Sequence, residues 1–193
     1  MEFASSGERS RNCTLANAEE ICAGTATETF DLGLVTGDIK ASLKSTLEEE
    51  VVGSERLLIV VGQSHPWFER AEVSLTEIVK TDWVMREAGC GVQQMMEQAL
   101  QSWGINPNEL NVTLVLNSSE MVKAVVESGT GAAAIPELMV KKELQLSTLR
   151  VIKIIDSQPS SNLCFEIIKP VLKLKHRQRF QTGITKAFEQ ILT

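Results

Sequence analysis

Residues Trp83 to Leu100 read W-V-M-R-E-A-G-C-G-V-Q-Q-M-M-E-Q-A-L and constrain the fold more than any other stretch. Trp83-Val84-Met85 is a short continuous apolar run, the pattern of a buried strand. Gly89-Cys90-Gly91 supplies a tight, conformationally permissive turn. Val92, Met95, Met96, Ala99 and Leu100 then recur at helical spacing among Gln and Glu. A strand that turns straight into an amphipathic helix must lay that helix on its own sheet, which points to a layered α/β architecture. The first amides of the helix project outward at the positive end of its dipole, where a carboxylate, sulfate or phosphate is held. The plainer alternative is a simple strand-to-helix connection, because the full G-x-G-x-x-G spacing of dinucleotide sites is absent.

The rest of the chain repeats this alternation. Asn17-Ala18-Glu19-Glu20 has the form of a capping box and predicts a helix start, although Gly24, Thr25, Thr27 and Thr29 lower the propensity of the helix itself. Phe30–Val35 is a short apolar strand ending at Thr36-Gly37; Leu47–Val52 alternates weakly; Arg56–Val61 reads as a buried strand. Ser74-Leu75-Thr76-Glu77 starts another helix, and Trp103-Gly104 closes the central one with glycine past its end. Val112–Leu116 is a strand, Asn117-Ser118-Ser119-Glu120 caps a helix, Gly131–Pro136 is a tightly packed strand, Leu138–Leu144 is helical and Leu149–Ile155 is a strand. Leu163–Ile168 and Val171–Leu174 read as one edge strand interrupted by Pro170, and Gln178–Leu192 as a closing amphipathic helix. The alternation predicts a mostly parallel sheet. The strands Arg56–Val61 and Leu163–Ile168 bracket a middle segment, so two lobes with a cleft between them are expected, lobe I from 12–62 plus 163–193 and lobe II from 63–162, after a leader of residues 1–11.

Composition excludes several function classes. The net charge of −6 argues against a chain whose own task is gripping nucleic acid, and the basic cluster Lys173, Lys175, His176, Arg177 and Arg179 reads as a solvated face. No apolar run reaches the roughly 18 residues that span a membrane, and the polar start is no secretory signal. Cys13, Cys22, Cys90 and Cys164 are scattered, with no C-x-x-C pair and no metal spacing with His65 or His176, so reduced thiols in a cytoplasmic protein without metal or cofactor are expected. No paired carboxylates or nucleophile–base set stands out, so the chain is not expected to be an enzyme.

Four motifs in order carry a family resemblance: D-L-G-L-V-T-G at Asp31–Gly37, L-L-I-V-V-G-Q-S-H-P-W at Leu57–Trp67, W-V-M-R-E-A-G-C-G at Trp83–Gly91, and N-S-S-E-M-V-K-A-V-V-E-S-G-T-G-A-A-A-I-P at Asn117–Pro136. Together they resemble the effector-binding domain of LysR-type transcriptional regulators, nearest the branch that governs carbon fixation and sulfur assimilation. The resemblance implies a type 2 periplasmic-binding-protein-like α/β fold, two lobes with a central cleft, a small anionic or polar metabolite in that cleft, and a homodimer or higher oligomer. The family's winged helix-turn-helix has no counterpart ahead of Asn12, so DNA contact is expected only through an absent N-terminal domain. The family's opening strand and helix are also missing, which leaves lobe I incomplete as an expectation.

By motif position, the resemblance implies that the effector is lined by Asn17, Ala18, Thr36, Gly37, Gly89, Cys90, Gly91, Val92, Gln93, Asn117, Ser118, Ser119, Ile135 and Pro136. Family members often carry Gly-Ser-Gly-Thr-Arg where this chain has Gly-Cys-Gly-Val-Gln. Hydroxyls and an arginine are lost while the backbone donors stay, which disfavours a multiply charged phosphate ester. Cys90 reads as a small residue in place of serine, with a reactive thiol as the alternative. Asn117–Glu120 reads equally as plain helix capping, and His65 as a structural turn residue or a switch near neutral pH. A transporter's solute-binding protein and a dimerisation remnant without ligand are the alternative functions.

Overall fold

The computed structural model describes residues 14–36, 39–155 and 165–174, with the backbone alone at 52–55 and 165–174. The leader, Gly37, the basic cluster beyond Leu174 and the expected closing helix at Gln178–Leu192 lie outside the described residues.

The first element among the described residues is helix α1 (Ala18–Ala26), opened by the reciprocal box predicted: the Asn17 side chain accepts from the Glu20 N–H at 2.8 Å, and Glu20 accepts from the Asn17 N–H. Strand β1 (Gly33–Leu34) leads to β2 (Leu47–Gly62), a 16-residue strand that merges the two segments expected there. Then come β3 (Glu72–Ser74), α2 (Leu75–Ile78), β4 (Asp82–Arg86), α3 (Gly91–Ser102), β5 (Asn111–Leu116), α4 (Ser119–Glu127), β6 (Ala132–Pro136), α5 (Glu137–Gln145), β7 (Leu149–Val151), β8 (Lys153–Ile155) and β9 (Phe165–Leu174).

The main sheet runs β1-β9-β2-β6-β4-β5, with β7 also on β2, and β3 and β8 form a separate parallel pair. It is mixed, which corrects the expectation of a mostly parallel sheet. β4 is parallel to β5 and β6, whereas β2 is antiparallel to β6, β7 and β9. Counting alternating elements detects the βα units but not the direction in which a long strand re-enters the sheet.

The segment around Pro170 is a second correction. It is one continuous strand, β9, and it lies between β1 and β2 rather than at an edge. Val51 pairs with Pro170 and Gly53 with Lys169, so β2 carries one extra residue beside the proline. A bulge locally breaks the ladder, which is where a residue without an N–H is tolerated inside a sheet. The predicted strand Leu149–Ile155 is likewise divided, β7 joining the main sheet and β8 joining β3.

Both faces of the sheet are buried at β4 and β6, whereas the edge strand β5 is exposed. Trp83, Met85, Val92, Met96 and Leu100 pack on one side under α3, and Val84, Val122, Val126, Ala133 and Ile135 on the other under α4. A third cluster, Ile21, Cys22, Val35, Ile39 and Leu47, seats α1. Gly62 is required where α4 meets β2, because a Cβ there would lie 2.2 Å from the Val126 carbonyl oxygen.

The turn after β2 buries His65, 7% exposed. Its Nδ1 accepts the Trp67 N–H at 3.1 Å, which puts the ring proton on Nε2, 3.0 Å from Thr81 Oγ1. Burial pushes its pKa below the ordinary histidine value, against a smaller opposing pull from Asp82. The unfolded chain therefore takes up the proton first, so the stability this residue contributes is complete above about pH 6.5 and falls as pH drops below that toward the folded value. His65→Asn, whose amide oxygen can accept from Trp67, is expected to flatten the loss of melting temperature between about pH 8 and about pH 5.5. An unchanged slope in that variant would assign the effect elsewhere.

Candidate functional site

The site is placed by a divergence of connections. β4 is flanked by β5 and β6, both parallel to it. The link from β4 to β5 runs through α3 on one face, and the link from β5 to β6 through α4 on the other. Loops leaving neighbouring strand ends toward opposite faces open a crevice at the carboxyl edge of the sheet, where open α/β sheets bind ligands.

Two helix starts at that edge share one property. The residues ahead of α3 and α4, namely Cys90 and Ser118, make no side-chain cap hydrogen bond. Two others are closed: α1 by Asn17 and Glu20, and α2 by Glu77, which accepts from the Ser74 N–H at 2.9 Å. Helix starts left uncapped at one edge of a sheet keep amide donors and positive dipole ends available to an anion.

Arg86, the last residue of β4, crosses the crevice. Its Nε and Nη2 donate to the Glu87 carboxylate at 2.8 and 2.9 Å, and Nη1 donates to Ser119 Oγ at the first residue of α4. The side chain is only 15% exposed. The guanidinium holds the Glu87 carboxyl below the usual carboxylate range, and Glu87 in turn raises Arg86. The Glu87 N–H donates to the Leu116 carbonyl, and the Cys90 N–H to the Glu87 carbonyl. The start of α3 and the start of α4 are thereby fixed to each other.

The start of α1 faces the same turn. The Glu19 N–H donates to the Gly89 carbonyl at 3.3 Å, and Gly89 has φ +86°, a conformation suited to glycine. Lys40 Nζ lies 2.5 Å from Glu19 Oε1. The Thr36 carbonyl presses on Gly91 so closely that a Cβ there would sit 1.7 Å from its oxygen.

Of the residues expected from sequence, Asn17, Thr36, Gly89, Cys90 and Gly91 come together at this turn, Ser119 joins them through Arg86, and Ala18 packs against the cluster that seats α1. Others do not present their side chains there. Val92 is 8% and Ile135 1% exposed, each inside a core cluster, so only their backbones are available. Pro136 is buried opposite Leu57, and Cys90, 6% exposed, turns its thiol into the core. Gln93 Nε2 donates to Glu97 along α3; Asn117 is exposed and Ser118 half-buried. Sequence reasoning missed Arg86, Glu87, Glu19 and Lys40. The available signal was an Arg-Glu pair at the end of a buried apolar strand, where a charge must find a partner.

The sequence matches the family profile described as LysR substrate binding domain over residues 12–166. The chain belongs to this LysR family. Among its relatives is the probable RuBisCO transcriptional regulator of Thalassiosira pseudonana, 28% identical over 67% of this chain and 43% of the relative, so the chain spans less than half of that protein. The fold is that of the CcmR regulatory domain from Synechocystis PCC6803, solved in complex with 2-PG, with a TM-score of 0.69 and 21% identity over 91% of this chain and 78% of the other. The effector binding domain of QuiR, solved with shikimate, has the same TM-score of 0.69 at 14% identity, over 91% and 76% of the two chains. This LysR domain therefore has the periplasmic-binding-protein-like α/β fold expected from its motifs. No helix among its described residues is long and apolar enough to cross a membrane.

Proposed function

We propose that this LysR domain senses a small polar metabolite carrying a single negative charge, seated between the starts of α3 and α4 and facing α1. The observation that carries the reading is the uncapped starts of α3 and α4, which open at one sheet edge beside the Arg86–Ser119 contact. Asn17, Thr36, Gly89, Gly91, Ser119 and the backbone amides at 92 and 93 are the proposed contacts. In this proposal the chain works as two lobes joined at the β2 and β9 crossings, and the lobes are the moving parts. A ligand with higher affinity for one arrangement of the lobes shifts the population toward it. In a longer regulator, a DNA-binding domain reads that shift. Binding rather than turnover is the proposed role, in keeping with relatives that are transcriptional regulators.

The test is a thermal melt of the chain with a panel of anionic metabolites that includes 2-PG and shikimate. At a hundredfold excess over Kd, a ligand of the folded state adds about 2.7 kcal/mol, or roughly 5–10 °C for a chain of this size. Arg86→Gln loosens the link between the two helix starts and is expected to weaken binding about tenfold, the scale of losing a charged hydrogen-bond partner. A panel without any upward shift, or a shift of equal size in Arg86→Gln, would overturn the reading.

A further inference from the structure

The Arg86–Glu87 pair bears on which anions the crevice accepts, given the effector site proposed above, on which this inference rests. A guanidinium at the mouth of an anion site normally offers a two-pronged fork to phosphate or carboxylate. Here the Nε side of that fork is filled: Nε and Nη2 each give an N–H to the carboxylate of the adjacent residue, and Nη1 gives one to Ser119. The other cation at the turn, Lys40, is matched by Glu19. The Arg86–Glu87 and Lys40–Glu19 charges thus cancel in pairs. What remains is the dipole ends of α3 and α4, each equivalent to roughly half a positive charge, together about one. That field balances one negative charge and leaves a second one unpaired.

We infer that Glu87 is a specificity-determining residue, a built-in carboxylate that occupies the Nε side of the Arg86 fork and so selects monocarboxylates over dianions such as phosphate. Glu87 acts through Arg86 rather than by touching the ligand. Its removal is expected to change preference between ligand classes and not merely to weaken all of them.

The experiment titrates inorganic phosphate, in mildly alkaline buffer where it is mainly dianionic, against glycolate, lactate and shikimate. It compares wild type, Glu87→Gln, Arg86→Gln and the double variant R86Q/E87Q, with each variant's melt recorded to verify folding. Glu87→Gln keeps the shape and removes one charge beside the ligand. The ratio of phosphate to monocarboxylate affinity is expected to rise about tenfold, the effect of one charge at a few ångströms in a half-exposed site. Arg86→Gln, which leaves the carboxylate unbalanced, is expected to lower the ratio, and the double variant, neutral again, to return it to the wild-type value. If Glu87→Gln does not fold, the opposed shifts of the single Arg86 variant and the double variant decide the matter. Binding with an unchanged ratio across the variants would overturn the inference and leave the effector site standing. Absence of binding by any probe to any variant, wild type included, would overturn both.

Discussion

Trp83→Ala is expected to lower the melting temperature by about 10 °C or more, because Trp83 is the largest fully buried side chain among the described residues. The indole is fully buried, 0% exposed, in the cluster under α3 with Ile78, Met96 and Leu100. Removing a buried Trp side chain typically costs 3–5 kcal/mol through lost burial and the cavity left behind. A second loss adds to it. Trp83 Nε1 donates to the Ile78 carbonyl at 2.8 Å, closing the last turn of α2, a helix too short to satisfy its own terminal carbonyls. An orphaned buried acceptor costs roughly 1–3 kcal/mol more. Trp83→Phe separates the terms, because it keeps most of the apolar bulk and discards the donor. Its stability in urea is expected to fall between the other two. A Trp83→Ala variant within about 1 kcal/mol of wild type would mean that the core closes over the gap.

Gly91→Ala is expected to destabilise the chain and to abolish its response to ligand. The sign of this result is diagnostic. Gly91 is the first residue of α3, and in an exposed helix alanine would be favoured over glycine by up to about 1 kcal/mol. Here the new methyl would lie 1.7 Å from the Thr36 carbonyl oxygen and 2.6 Å from its carbon. Both are backbone atoms, so no rotamer relieves the clash and the Thr36 segment must move by more than an ångström. Overpacking of this kind costs about 1–3 kcal/mol. A drop in melting temperature with loss of the ligand shift is the expected pair of results. A more stable Gly91→Ala variant would show that the Thr36–Gly91 contact does not form in solution.

Features governed by neighbours in sequence were legible before the fold was known. The Asn17–Glu20 box is an example, since both hydrogen bonds close within one turn. The Trp83–Leu100 stretch folds as the strand, turn and helix its pattern predicts, because apolar periodicity and glycine placement act locally. Pro170 misled for the same reason. A local rule assigns proline to an edge, and the relief comes from a spare residue in β2, more than a hundred positions away in the chain. Ile135 has the composition of a tightly packed strand whether it faces a cleft or a core, and only the packing of α4 decides for the core.

The sequence by itself determined the alternating βα units, the family and the glycine turn that opens α3. Those come from periodicity, motif order and backbone freedom, all written within short stretches. Tertiary structure alone decided that β2 and β9 run antiparallel through the middle of the sheet. It also decided that the Thr36 carbonyl closes on Gly91, and that Arg86 reaches Ser119 across 33 positions with Glu87 filling the Nε side of its fork. A charge and its partner are fixed by where strands end in space. Desolvation at the buried end of β4 makes Arg86 take whichever acceptors the fold brings there, and one of the two lies on a helix the sequence had no means of placing beside it.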